Sequence, residues 1–238
     1  VIPIGGGGAR LPIVPYVVYA IVAINIAVFT REVAAAPNTD AFINAFAVIP
    51  YDITHDVALA PPSPSIPALT LVTSMFIHGG LAHIFFNLLF FVVFGPAIEY
   101  LCGHVRFAAF YLACGIAGGV AQIASAPGSH VPALGASGAI AGVLGAYVVT
   151  FPFASIRTIV PIGCFPLLVR LPALLVIGIW ALVQFLSGFG SLTQRAAESQ
   201  GGTAYFAHIG GFCMGVLVIG LFKIRSARGR VPSLMRRR

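Results

Sequence analysis

Long apolar stretches with almost no charge set the first limit on what this chain can fold into. Six of them, at about residues 11–30, 81–101, 105–126, 132–153, 172–190 and 203–223, run close to 20 residues each. A helix rises about 1.5 Å per residue, so about 20 residues cross the roughly 30 Å hydrocarbon core of a bilayer. In hydrocarbon every backbone N–H and C=O must be bonded within the protein, which leaves helices or closed barrels. The stretches lack the two-residue alternation of barrel strands, so they predict an all-α, polytopic bundle of six transmembrane helices. Composition agrees: 8% of residues are charged and 59% apolar, whereas a soluble domain is about a quarter charged. A mean hydropathy of +1.00 excludes an ordinary water-soluble domain.

The basic residues orient the bundle. With the amino terminus in the cytoplasm, the inner segments hold Arg10, Arg106, Arg157, Arg170, Lys223, Arg225, Arg228, Arg230 and Arg236 to Arg238. The outer segments hold only Arg31 and Arg195, an eleven-to-two bias of the sign that cytoplasmic loops carry. Both termini are therefore expected in the cytoplasm. The net charge of +7 then reports topology and contact with anionic lipid headgroups. No basic patch interleaved with aromatics points to nucleic acid. The chain divides into a short flexible leader at 1–10, a membrane domain at 11–223 and a basic cytoplasmic tail at 224–238. The stretch 151–172, with Arg157, Arg170 and several prolines, reads as a cytoplasmic loop, a connector lying along the interface.

In this orientation spans two, four and six all descend from the outer face. Ser137 then lies roughly 7 Å below the outer end of span four, and His208 a similar distance down span six. His83 and Asn87 lie roughly 5 to 10 Å down span two, four residues apart and so on one helix face. Polar groups at membrane depth are costly and mark functional sites by default. Small residues at four-residue spacing, Gly138 with Gly142, Ala141 with Gly145 and Gly211 with Gly215, let helix backbones approach closely in lipid. They lie on the two helices that must touch if Ser137 and His208 are to bond.

Three segments together resemble the rhomboid family of intramembrane serine proteases. They are Met75-Phe76-Ile77-His78-Gly79-Gly80-Leu81-Ala82-His83-Ile84-Phe85-Phe86-Asn87, then Gly135-Ala136-Ser137-Gly138, then Ala207-His208-Ile209-Gly210-Gly211. The likeness runs from about Leu11 to Phe222 in the family's order. It implies a dyad in which Ser137 attacks the scissile carbonyl and His208 takes its proton. It further implies an oxyanion hole built from the Ser137 N–H, Asn87 and His83. The implied substrates are single-span membrane proteins, cut near their outer end. The expected six spans, with no seventh span or targeting presequence read in the sequence, point to a bacterial inner membrane. No cofactor is implied. A catalytically inactive relative that binds or escorts membrane helices is the alternative; it would be favoured by loss of Ser137 or His208, or by proline at Ala136.

The remaining residues refine this picture. The six acidic residues are Glu32, Asp40, Asp52, Asp56, Glu99 and Glu198, and none is placed in the outer half of a span. A carboxylate partner for His208 is thus not expected, and packing should orient the imidazole. Several family members carry an aromatic one turn after the nucleophile, where this chain has Ala141; Tyr205, Phe206 or another aromatic is expected to substitute. Glu99 should pair or cap locally at the inner end of span two. His78 is read as structural, or as a hydrogen-bonding residue at the outer rim of the site. The resemblance implies that the segment 31–80, including Val48-Ile49-Pro50-Tyr51-Asp52, braces the fold, as the first loop does in that family. There is no His-Glu-x-x-His, and Cys102, Cys114, Cys164 and Cys213 lack zinc-site spacing, so no metal is implied.

Overall fold

A computed structural model describes residues 1–6, 13–57, 62–64, 66–162, 165–193 and 204–224. Outside the described residues lie Arg10, Leu11, Cys164, Arg195, Glu198 and the basic tail from Arg225. In chain order the helices are α1 (Tyr16–Ala34), α2 (Thr39–Phe46), α3 (Pro50–Thr54), α4 (Thr70–Thr73), α5 (Leu81–Cys102), α6 (His104–Ser125), α7 (Ser137–Thr150), α8 (Ala173–Thr193) and α9 (Tyr205–Phe222). Among the described residues five helices, α1, α5, α6, α8 and α9, are long and apolar enough to cross a membrane. The chain is thus a mainly helical bundle, as expected for its fold class.

The helix ends follow local chemistry. α1 starts at Tyr16, later than the expected boundary near 11, directly after Pro15 at its N-cap. Its first free N–H groups, those of Val17 and Val18, donate to the Glu99 carboxylate at 3.0 and 2.9 Å. An anion there satisfies orphan donors and opposes the positive end of the helix dipole. Glu99 also lies 2.5 Å from His104 Nδ1, so it caps a different helix as well as pairing locally. Gly103 alone separates α5 from α6, with φ +73°, a conformation that costs glycine little.

The expected span four is where helix and sequence pattern differ most. α7 has 14 residues, which at 1.5 Å each reach only about 21 Å. Residues 132–136, expected inside the helix, form a non-helical lead-in that begins at Pro132 and contains Gly135, whose φ is +116°. Ser137 is therefore the first residue of its helix rather than the start of its second turn. Every residue from Gly138 to Tyr147 is buried, so α7 is the central post of the bundle.

The glycines expected to bring helices together do so. A β-carbon on Gly211 of α9 would fall on the Gly138 carbonyl of α7, and one on Gly215 would fall on the Gly142 carbonyl. From α6, a β-carbon on Gly118 would lie 2.6 Å from the Ala207 carbonyl oxygen. Three helices thus share one glycine-lined seam, the kind of close approach that replaces hydrophobic driving force in lipid. Around it Phe91, Phe94, Phe107, Phe110, Tyr111 and Tyr147 are fully buried.

Two segments expected to be irregular form a sheet instead. β1 (Ile2–Gly6), β2 (Ser155–Ile162) and β3 (Phe165–Pro172) pair antiparallel in the order β1-β2-β3. The leader is thus strand over Ile2–Gly6, and the connector is a hairpin. Ile156, Thr158, Ile159 and Val160 are β-branched, and Ile156 and Thr158 are buried while Arg157 between them is exposed. That two-residue period is the strand signal. The prolines that argued for a loop sit where they do least harm: Pro161 faces Pro166 beside the hairpin tip.

The expected brace is present among the described residues. Val48 and Ala133 exchange backbone hydrogen bonds of 2.9 and 2.8 Å, and the Tyr51 N–H donates to the Ser129 carbonyl at 3.0 Å. The α1–α5 connection is thereby fastened to the segment that delivers Ser137.

Candidate active site

α5, α7 and α9 carry Ser137, His208, His83 and Asn87 to one cavity of about 1000 Å³. All four residues singled out from sequence line it. Asp40, Asn44 and His130 line it too, supplied by α2 and the segment before α7.

Ser137 owes its position to the turn before it. The positive φ of Gly135 bends the chain, Ala136 caps the helix, and Ser137 opens α7. Its Oγ lies 2.7 Å from His208 Nε2. N–H groups in the first turn of a helix have no intrahelical acceptor, and the helix dipole is positive there. This end of α7 therefore favours negative charge on a neighbouring oxygen.

His208 sits in the first turn of α9 and is 8% exposed. The glycine seam holds α9 against α7 just below it. Its other ring nitrogen, Nδ1, lies 2.7 Å from Gln184 Oε1 of α8, and the Trp180 ring centroid is 5.8 Å from its own. Packing is the expected source of orientation, by Tyr205, Phe206 or another aromatic. The aromatic found there is Trp180, one helix away, and the Gln184 carboxamide joins it. Gln184 is not foreseen, although it is the one carboxamide in its apolar stretch and lies four residues after Trp180. Ala141 is fully buried in α7.

On α5, the Asn87 Nδ2 donates one hydrogen to the His83 carbonyl at 2.9 Å, which leaves its second hydrogen for the cavity. A β-carbon on Gly135 would lie 2.7 Å from His83 Nε2 and 3.6 Å from Ser137 Oγ. The bare glycine thus leaves open the space between imidazole and hydroxyl. His78, by contrast, does not line the cavity. It is fully buried and packs edge-to-face on His83 at 5.1 Å. Burial, and next the nearby His83, lower its pKa to about 4, so at neutral pH it is an uncharged wall behind His83.

Glu32 corrects the acidic inventory. It lies within α1, buried, and its Oε2 accepts the His78 N–H at 3.0 Å. It supports the chain leading to α5, and the partner of His208 is Gln184 instead. Among the described residues no cluster of three metal-ligating side chains exists, and Cys102, Cys114 and Cys213 are free thiols.

A helical membrane protein with a serine and histidine in hydrogen-bond contact inside an open cavity is the class that fold and site define. Residues 67–225, well over half of the chain, match the family described as Rhomboid domain. This chain belongs to the rhomboid family. It is similar to Rhomboid protease GluP of Bacillus subtilis, 45% identical over 76 residues, which are 32% of this chain and 14% of that protein. It is also similar to the mitochondrial Rhomboid protein 1 of Saccharomyces cerevisiae, 29% identical over 204 residues, or 84% of this chain and 51% of that one. The chain thus spans about half or less of the relatives it matches.

Proposed function

We propose that this chain is an active serine endopeptidase that cuts the membrane segments of single-span proteins near the outer leaflet. The observation that carries the reading is the 2.7 Å contact between Ser137 Oγ and His208 Nε2 inside a cavity that also holds His83 and Asn87. Ser137 Oγ attacks the scissile carbonyl as His208 Nε2 takes its proton. The oxyanion that forms is met by the Ser137 N–H, the free Asn87 amide hydrogen and His83, donors fixed before the reaction begins. His208 returns the proton to the leaving amine, then activates water against the acyl ester. The substrate must be locally unwound, because a hydrogen-bonded helix shields its carbonyls.

In this reading α7 makes a sixth, short crossing. Ser137 is below the outer surface, and the β1-β2-β3 sheet with its arginines faces the cytoplasm. The membrane is a bacterial inner membrane, a reading supported by the similarity to a Bacillus protease, while the yeast relative is named as mitochondrial.

The test is reconstitution of the full chain in liposomes with a single-span substrate, alongside labelling by a fluorophosphonate probe. Wild type should label and cleave, and Ser137→Ala and His208→Ala should do neither while remaining folded. A folded wild type that neither labels nor cleaves would overturn the reading in favour of a helix-binding protein.

A further inference from the structure

We propose that Gln184 is the positioning residue of the site, completing a Ser137–His208–Gln184 relay in which an uncharged carboxamide takes the place of a carboxylate. The inference rests on the Ser137–His208 reading above. Gln184 Oε1 lies 2.7 Å from His208 Nδ1, on the opposite side of the ring from the 2.7 Å contact to Ser137 Oγ. An amide oxygen can only accept, so it holds the proton on Nδ1 and leaves the Nε2 lone pair facing the serine hydroxyl. The other tautomer would present an N–H to Ser137 and could not take its proton. In papain-like proteases an asparagine stands in the same relation to the catalytic histidine.

The setting explains why a neutral group suffices. His208 is buried at membrane depth, where an anion as third member would carry a desolvation penalty of its own. A carboxamide dipole strengthens its bond when the imidazolium forms, yet leaves no charge in hydrocarbon when the ring is neutral. Trp180 and Gln184 are four residues apart and so share one face of α8. The tryptophan lies against the imidazole at 5.8 Å while the carboxamide holds its edge. One face of α8 therefore does the work that an aromatic one turn after the serine cannot do here, where that position is Ala141.

The experiment compares wild type, Gln184→Leu and Gln184→Glu as full-length protein in liposomes, with kcat, KM and thermal midpoint measured for each. Gln184→Leu, which keeps bulk but has no acceptor, should lower kcat by roughly tenfold to a hundredfold, with KM within about twofold. Gln184→Glu keeps an acceptor oxygen at the same reach and should recover most of the loss in kcat, with the desolvation penalty of its charge showing as a lower thermal midpoint. A Gln184→Leu protein within about threefold of wild type in kcat overturns the proposal. So does a loss shared equally by Gln184→Glu, or one confined to KM or to stability. Without any Gln184 variant, ¹⁵N NMR of histidine-labelled wild type, with His208 assigned by its absence in a folded His208→Ala protein, should show the proton on Nδ1. A proton on Nε2 overturns the proposal. An inactive wild type would instead count against the protease reading itself, so the two failures are separable.

Discussion

Gly211 of α9 stands so close to Gly138 of α7 that a β-carbon on it would overlap the Gly138 carbonyl. Gly138 follows Ser137 directly, and Gly211 lies three residues after His208, so this contact sets the spacing of Ser137 and His208. Gly211→Ala should push α9 off α7, open the 2.7 Å contact, and lower cleavage at least about tenfold, with a lower thermal midpoint. Gly220→Ala on the same helix meets nothing within 4 Å. It should be neutral or slightly stabilising, since alanine is favoured over glycine in helices by about 1 kcal/mol. Parallel cleavage and melting assays of the two variants check this.

Removing the second hydrogen of Asn87 from the cavity tests the oxyanion assignment. Asn87→Ala should lower kcat on the order of tenfold to a thousandfold, as loss of one such donor does elsewhere, with little change in KM. If His83 and the Ser137 N–H share the load, the loss falls at the lower end and the His83→Ala, Asn87→Ala double variant is worse than either single one. Steady-state kinetics in liposomes decide it, and a kcat for Asn87→Ala equal to wild type would remove Asn87 from the mechanism.

Gly135 is constrained twice, by its φ of +116° and by the His83 ring 2.7 Å from where its β-carbon would sit. Gly135→Ala should displace His83 or rotate the lead-in to Ser137. Either change should abolish fluorophosphonate labelling in a protein that still extracts and migrates as wild type. Gly128→Ala, with nothing within 4 Å, is the matched control and should label normally.

Glu99 is fully buried and accepts from Val17, Val18 and His104. Glu99→Ala would leave two N–H groups of α1 without an acceptor, a cost on the order of 2–5 kcal/mol. Thermal unfolding in detergent should show the loss as a lower midpoint. Cleavage per folded molecule should stay near that of wild type, because Glu99 is at the end of α5 away from the cavity.

The parts of the site readable from sequence were those whose signal is local. His83 and Asn87 declare a shared face through their spacing of four, and the paired glycines of α7 and α9 declare close approach through theirs. Gln184 stands 24 residues from His208 in the chain, and no spacing rule links the two, so their meeting is visible only once α8 packs beside α9. The start of α7 was misplaced for a related reason. Hydropathy sums over a window of side chains and cannot register that Gly135 leaves the helical region of backbone space. Pro161, Pro166 and Pro172 hide the sheet, because they argue against strands more strongly than the β-branched Ile156, Thr158, Ile159 and Val160 argue for them. Their harm depends on which edge and which end of a strand they occupy, and that is a property of the pairing.

With Gly103 as its only intervening residue, the joint between α5 and α6 has no slack. That joint lies at the end of α5 away from His83 and Asn87. At the other end each helix is held by its own packing, α5 by α7, and α6 by both α7 and α9. One end of the pair is thus fixed by the chain itself, while the end beside the cavity is fixed only by what the side chains touch.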